Sequence, residues 1–274
     1  MKKIAVIGLG IIGASIAGAL TASGFEVDGF DLNEETVALA VEYGYIRRKA
    51  TDFTAYDAVF IAVPPTAAME ILDKTAFKDG AFVADICGVK ACVENAVFQR
   101  ERNYRYIGLH PMAGKETSGI ASASPTLFQG ANLVITLSPF TTEETLAEAK
   151  SYAKVMGFSN VVECSAKEHD GKIALTSQLA HIVSNAYVKS ERVKGCDGFT
   201  GGSFQDMTRI AGVDEKIWTE LYRLNKDEIG TELTGLIKHL SAYLEAVEGE
   251  RWDELSGLLK EGRLIRETIK RKND

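Results

Sequence analysis

Two stretches of this chain combine residue types and spacings that can do chemistry. The first is GLHPMAGKETSG, residues 108–119, in which one of only four histidines, His110, closes the apolar run YRYIGLH and is followed by a proline. An imidazole titrates near neutrality and suits the removal of a hydroxyl proton. Position alone fits equally well a histidine that merely satisfies a loop backbone. The second stretch is GLGIIG, formed by Gly8, Leu9, Gly10, Ile11, Ile12 and Gly13. Here a first glycine permits a tight turn, and a second lets a pyrophosphate approach the backbone. A third lets helix and strand pack closely, and the helix N-terminus offers free N–H groups to phosphate. Asp31, at the end of the next apolar run, is placed to accept hydrogen bonds from an adenine ribose and to repel a 2′-phosphate. The expected cofactor is NAD. Arg47, Arg48 and Lys49 lie close enough in sequence to hold a phosphate, which keeps NADP open. The plain alternative is a set of packing glycines and a helix-capping aspartate.

The elements that must position these residues alternate in the first half. KKIAVIG, FEVDGFD, DAVFIAVPP, GAFVADI, YRYIGLH and ANLVITL are near-continuous apolar runs, separated by helical patterns in most cases. Such runs indicate a parallel or mixed sheet covered on both faces. A small-residue helix is expected over 11–22. Another, NEETVALAVEYG, has Asn33 as N-cap, Glu35 in its first turn and Gly44 at its end. Ligands of such sheets bind beyond the carboxyl ends of the strands. AVPP (with Val63 and Pro64), ADICGVK and GLHPM all lie there, so His110 is expected to face a nicotinamide. After Ser165 the strand signals stop. KEHDGKIALTSQLAHIVSNAYVKSERV reads as one long helix, apolar around much of its circumference. Helices follow at about 214–226, 227–247 and 251–271, with GCDGFTGGSF as the one clear break. The fold expected is an α/β N-terminal Rossmann-type domain, residues 1–165, followed by an all-α C-terminal dimerisation domain, residues 166–274. The apolar surface of the helical half suggests burial against a second copy.

Composition narrows the function classes. The 274 residues carry a net charge of −7, with 46% hydrophobic and 25% charged residues. That balance is ordinary for a globular protein and is a poor match to nucleic acid or anionic lipid. The lysines and apolar run at the start resemble a signal peptide, but they lead directly into the glycine turn and are read as the first strand and helix. The four cysteines, Cys87, Cys92, Cys164 and Cys196, form no CxxC pair and no zinc-ligand pattern, so no metal is expected and the thiols read as reduced, in a cytoplasmic protein. The chain as read runs about 110 residues past the expected boundary, and no appended regulatory domain is expected.

GLGIIG, DICGVK, HPMAGKETSG, HDGKIALTSQLAHIVSNA and GGSFQDMTRIAGVDEKIW occur here in the order and context in which they occur in prephenate dehydrogenases, including the cyclohexadienyl and arogenate relatives. The resemblance spans nearly the whole chain. It implies NAD-dependent oxidation of the 4-hydroxyl of prephenate, with loss of the ring carboxylate as CO2, to give 4-hydroxyphenylpyruvate for tyrosine biosynthesis. Arogenate is the alternative substrate. By the same resemblance His110 is the catalytic histidine, and His181 a second one facing nicotinamide and substrate. Arg209 is the substrate-carboxylate arginine, suited to a dianion by its planar donor fork. Asp206 is expected to hold Arg209, with Glu116 a further candidate partner. Gly202 and Trp218 match positions that reach the pocket from the other subunit. Gln178 and His181, three apart, are expected on one helix face. His169 reads as a helix-start residue, His239 as a surface residue and Lys90 as a solvated helix N-terminal lysine. One position departs from the family pattern: a serine that supports the substrate hydroxyl in relatives is Gly88 here, so that hydrogen bond is either absent or supplied elsewhere, by water or Cys87.

Two rivals stand beside this reading. Another two-domain hydroxyacid dehydrogenase would use a lysine on the long helix, where Lys172 is the candidate, and would leave HPMAG unexplained. An NAD-sensing module would need the glycines and Asp31 but not His110 with Arg209.

Overall fold

The computed structural model describes residues 2–114 and 117–269. In chain order the elements are β1 (Lys3–Ile7), α1 (Ile11–Ala22), β2 (Glu26–Phe30), α2 (Glu34–Glu42), β3 (Ala58–Ile61), α3 (Pro65–Lys74), β4 (Phe82–Asp85), α4 (Ala91–Phe98) and β5 (Arg105–Pro111). Then come β6 (Asn132–Thr136), α5 (Glu143–Val155), β7 (Asn160–Cys164), α6 (Ala166–Ile173), α7 (Ala180–Tyr187), α8 (Gly202–Thr208), α9 (Glu215–Leu224), α10 (Lys226–Glu248) and α11 (Trp252–Thr268).

The strands form one sheet in the order β2-β1-β3-β4-β5-β6-β7. The first five are parallel, β6 runs antiparallel to β5, and β7 pairs parallel with β6. The sheet is therefore mixed. Strands β3 and β4 are buried along their whole length, because helices cover both faces. One apolar cluster lies on each face. Strand β7, NVVEC, escapes sequence reading because it is an edge strand with mostly exposed side chains and no apolar run.

Side chains start the helices as their sequences demand. Asn33 accepts from the Glu35 N–H, Ser165 from Glu168, and Asp214 from Lys216 and Ile217. The long helical run expected after Ser165 is continuous from α6 through a π-helical stretch, Ala174–Leu179, into α7. The expected break at GCDGFTGGSF is shorter than read, since its last residues open α8.

By their internal contacts the residues form two compact units, Met1–Asn225 and Lys226–Asp274. In the second, α10 and α11 pair, and the Tyr243 hydroxyl donates to the Leu258 carbonyl at 3.3 Å. Ile237, Leu240, Leu244 and Val247 follow one another at helical spacing on α10, and each remains about half exposed within the chain. No helix among the described residues is long and apolar enough to cross a membrane.

The first turn of the sheet shows why glycine is required there. Gly8 has φ +88°, and a Cβ on it would lie 2.4 Å from the Ala62 carbonyl oxygen. A Cβ on Gly13 would lie 1.8 Å from the Gly8 carbonyl oxygen, so α1 packs directly on the turn. Gly13→Ala is expected to cost about 3 kcal/mol or more, the upper end of overpacking penalties, measured as a shift in the urea midpoint.

Candidate active site

Gly8, Gly10, Asp31, Val63 and Pro64 line a cleft of about 590 Å³ at the carboxyl ends of β1, β2 and β3. Nothing lies within 4 Å of the position a Cβ would take on Gly10, so the mouth of α1 is open to a bulky anion. The Asp31 carboxylate is fixed by two backbone donors, Leu9 N–H at 2.8 Å and Asn33 N–H at 2.9 Å. Leu9 therefore shapes the turn rather than the cleft wall: its amide is taken by Asp31 and its side chain is wholly buried. Ile11 and Ile12 open α1 with partly exposed side chains.

The cations that kept NADP open as the alternative are already engaged. Arg47 pairs with Glu26 at 2.7 Å and with Asp28 at 3.1 Å; Arg48 pairs with Asp28 at 3.2 Å; Lys49 pairs with Glu34.

His110 is the penultimate residue of β5, at the sheet end that carries the cleft. Its Nδ1 lies 2.8 Å from Nε2 of His169, and Nδ1 of His169 lies 2.7 Å from the Asp170 carboxylate. That carboxylate also accepts from the backbone N–H groups of Lys90 and Ala91, at 2.8 and 2.9 Å. These partners decide the tautomers. A carboxylate can only accept, so Nδ1 of His169 carries the proton and its Nε2 accepts. Nδ1 of His110 must then donate, leaving Nε2 of His110 with a free lone pair. Burial, then the neighbouring His169 and Lys90, push the His110 imidazole well below its ordinary pKa. The ring is thus held neutral with its basic nitrogen oriented, as general-base catalysis requires.

His169 was expected to be a helix-start residue. It does sit at the start of α6, and it is also a buried member of this set of contacts, brought to His110 by the packing of α6 on the sheet. The only sequence hint is a histidine and an aspartate side by side just after a helix cap. Lys90 also departs from expectation. Rather than solvated, it is fully buried, and its ammonium donates to Asp85 at 2.6 Å. Asp85 further accepts from the Tyr106 hydroxyl at 2.7 Å and the Cys87 N–H at 3.0 Å. Gly108 has no side chain to obstruct this pair: a Cβ there would lie 3.0 Å from the Lys90 stem. The pair anchors the turn that carries Gly88. A Cβ on Gly88 would sit 3.8 Å from both Cε1 and Nε2 of His110 and 3.8 Å from Leu221, ordinary contact distances. Cys87 does not replace the missing serine, because its thiol is directed to the Val63 carbonyl oxygen at 3.6 Å.

A second cluster surrounds His181. Its Nδ1 meets the Ile210 carbonyl oxygen at 2.8 Å, and its ring centroid lies 3.9 Å from that of Trp218. Burial lowers its pKa, with the Arg209 charge adding to the effect and the Ile210 carbonyl opposing it. Ser184 and Asn185, on the same face of α7, bond the carbonyls of Met207 and Ala211 at 2.7 and 3.2 Å. These three side chains hold the end of α8, and with it Arg209, beside His181. Trp218, expected to act from another subunit, touches His181 of its own chain. Gly202, Asp206 and Arg209 are exposed along α8 and its end. Glu116 lies outside the described residues.

Gln178 and His181 do not act as one face. The π-helical stretch widens the turn between them. Gln178 turns inward to Asn225, whose amide donates to it at 2.7 Å and to the Asp170 carbonyl at 3.0 Å. Helix α9 links the two clusters, placing Leu221 toward Gly88 and Trp218 on His181, and its Glu220 accepts from the Thr66 N–H at the start of α3 at 2.7 Å. Lys172, the lysine required by the rival dehydrogenase reading, is exposed on α6, and His239 is exposed on α10.

A dinucleotide cradle beside an oriented neutral histidine defines the class, a dehydrogenase built on a Rossmann-type sheet. Comparison with known proteins makes this more particular. Residues 16–162 match the prephenate dehydrogenase nucleotide-binding domain, and residues 165–261 the prephenate dehydrogenase dimerization domain. The chain belongs to the prephenate dehydrogenase family. It is 29% identical over 252 residues to the prephenate dehydrogenase of Bacillus subtilis, covering 87% of this chain and 68% of that one. A crystal structure of prephenate dehydrogenase from A. aeolicus in complex with hydroxyphenyl propionate and NAD+ superposes with a TM-score of 0.86 at 28% identity, covering 98% of this chain and 99% of the other. Synechocystis arogenate dehydrogenase superposes with a TM-score of 0.80 at 26% identity, covering 97% and 99%.

Three outcomes are expected from this geometry. The acid limb of kcat/KM should lie below about pH 6.5, the ordinary histidine value, since a depressed pKa keeps His110 neutral to lower pH. His169→Ala removes the acceptor that fixes the His110 Nδ1 proton, so kcat should fall about 10- to 100-fold, as for other losses of an orienting partner. A pH–rate series on both proteins measures this. Gly88→Ser should be tolerated within about 0.5 kcal/mol of stability, read by thermal melting, because the site has room for its Cβ.

Proposed function

We propose that this chain catalyses the NAD-dependent oxidative decarboxylation of prephenate to 4-hydroxyphenylpyruvate in tyrosine biosynthesis. The observation that carries the reading is the free Nε2 of His110, fixed by His169 and Asp170 at the end of the sheet that holds the dinucleotide cleft.

The cleft fits NAD. Side chains at Gly8 or Gly13 would collide with the turn, Gly10 leaves the approach to α1 open, and Asp31 presents a fixed carboxylate for a ribose diol. Bound there, NAD supplies the hydride acceptor. His110 takes the proton of the substrate hydroxyl at Nε2 as hydride leaves the same carbon. The new carbonyl draws electrons through the ring, the bond to the ring carboxylate breaks, CO2 departs and the ring becomes aromatic. Arg209 binds a substrate carboxylate, and His181 and Trp218 form the wall on that side. Gly202 and Asp206 border the same approach along α8. Aromatisation makes the reaction strongly downhill, so the protein mainly positions reactants and stabilises charge.

Residues 1–165 serve the cofactor in this reading, and residues 166–274 the substrate and dimerisation. The apolar stripe on α10 is the surface for a second copy. Arogenate is the second reading, favoured by the likeness to the Synechocystis enzyme.

The test is NADH formation with prephenate and arogenate side by side, each with NAD and NADP. Prephenate with NAD should give the highest kcat/KM, and an arogenate preference would replace the substrate assignment. His110→Ala should lower kcat by about 100-fold or more with little change in NAD affinity; near-normal turnover would remove His110 from the mechanism. Arg209→Ala should mainly raise KM, and an unchanged KM would relocate the carboxylate site.

A further inference from the structure

We infer that this chain holds a 2′-phosphate-binding cation in reserve, Lys49, and that Glu34 sets the preference for NAD over NADP by engaging it. The inference rests on the NAD reading above and names a residue that shapes it.

Residues 47–50 run beside β2, joined to it by an isolated parallel bridge between Gly29 and Lys49. Arg47 N–H donates to the Val27 carbonyl at 2.9 Å, Gly29 N–H to the Arg48 carbonyl at 3.1 Å, and Ala50 N–H to the Gly29 carbonyl at 2.7 Å. Three consecutive cations therefore lie along β2, the strand that leads into Asp31. Their engagements differ in kind. Asp28 is 1% exposed and accepts from Arg47, Arg48 and the Tyr56 hydroxyl, the last at 2.9 Å. Its removal would leave the buried Tyr56 hydroxyl unpaired, so that arrangement is structural. The Lys49–Glu34 pair is at the surface, with side chains 35% and 72% exposed. An exposed pair of this kind is weak and can be exchanged for a stronger anion.

Lys49 does not itself line the cleft, but it lies against a residue that does. Its ammonium lies 5.5 Å from the centroid of the Phe30 ring, and Phe30, Asp31 and Leu32 line the cleft together. Glu34 stands three residues beyond Asp31, in the first turn of α2. Asp31 cannot move aside, because two backbone N–H groups hold it. Discrimination against a 2′-phosphate thus has a fixed part, the Asp31 charge, and an adjustable part, the occupation of Lys49 by Glu34. Removing the Glu34 charge deletes one repulsion and frees one attraction at the same place.

The experiment is calorimetric titration of NAD+ and NADP+ into the full chain, as wild type, Glu34→Gln, and Glu34→Gln with Lys49→Met. Wild type should favour NAD+. Glu34→Gln should tighten NADP+ binding about tenfold, the size of one near-surface charge interaction, while NAD+ changes less than about twofold. Adding Lys49→Met should abolish the gain. A gain that survives Lys49→Met, or no gain at all in Glu34→Gln, overturns the inference and leaves the NAD reading standing. A wild type that binds NADP+ as tightly as NAD+ overturns the NAD reading and this inference together. Glutamine at an exposed first-turn position costs only tenths of a kcal/mol, so folding does not obscure the result.

Discussion

The Asp170 carboxylate is the point on which the site depends. It receives two N–H groups at the start of α4, which no residue of α4 itself can satisfy, and the ring nitrogen of His169. One buried charge therefore does three things. It docks the first helix after the sheet onto the sheet, it supports the helix that follows β4, and it sets the tautomer of a histidine pair. A carboxylate in this position is stabilised by charge-assisted hydrogen bonds and by the helix N-terminus. Loss of Asp170 itself would leave all three donors without an acceptor.

The Lys90–Asp85 pair works on the other side of the same turn. Both side chains are wholly buried, and pairs of that kind seldom add net stability over apolar packing. What this one contributes is position. Asp85 collects the Lys90 ammonium, the Tyr106 hydroxyl and the Cys87 amide, and the turn from 86 to 89 is drawn tight beneath His110. The Lys90 charge also disfavours protonation of the imidazole. Burial and electrostatics push the same way, keeping the ring a neutral base. The base is weaker than free imidazole, which matters little if aromatisation supplies the driving force in the proposed reaction.

The His181 cluster follows a different logic. It is partly exposed and is assembled by side-chain bonds from α7 to the backbone carbonyls near the end of α8. The carbonyls left over at a helix end become the anchors, and the exposed Arg209 is set at that end. Helix α9 then spans both clusters through Leu221 and Trp218. The histidine pair is consequently held by buried polar partners, while the arginine side is exposed, as suits a base that must stay oriented and a charged ligand that must enter.

Much of this was legible in the residues. The glycine turn, Asp31, the Asn33 cap and helix α1 follow from local rules of φ, packing and capping, which need no distant partner. The family likeness of HPMAG and GGSFQDMTRIA was equally plain. Strand β7 was not legible, because an edge strand carries no buried periodicity. The roles of His169, Asp170 and Lys90 were not legible either. Each depends on a neighbour dozens of residues away, and a charged or polar side chain reads as exposed until a partner is seen. The π-helical stretch that separates Gln178 from His181 leaves no pattern in an apolar run. The sequence by itself determined which groups are present and the local turns that carry them. Only the tertiary structure decided which nitrogen of His110 is free and which cations are already engaged, because hydrogen-bond partnership is a property of packing between elements.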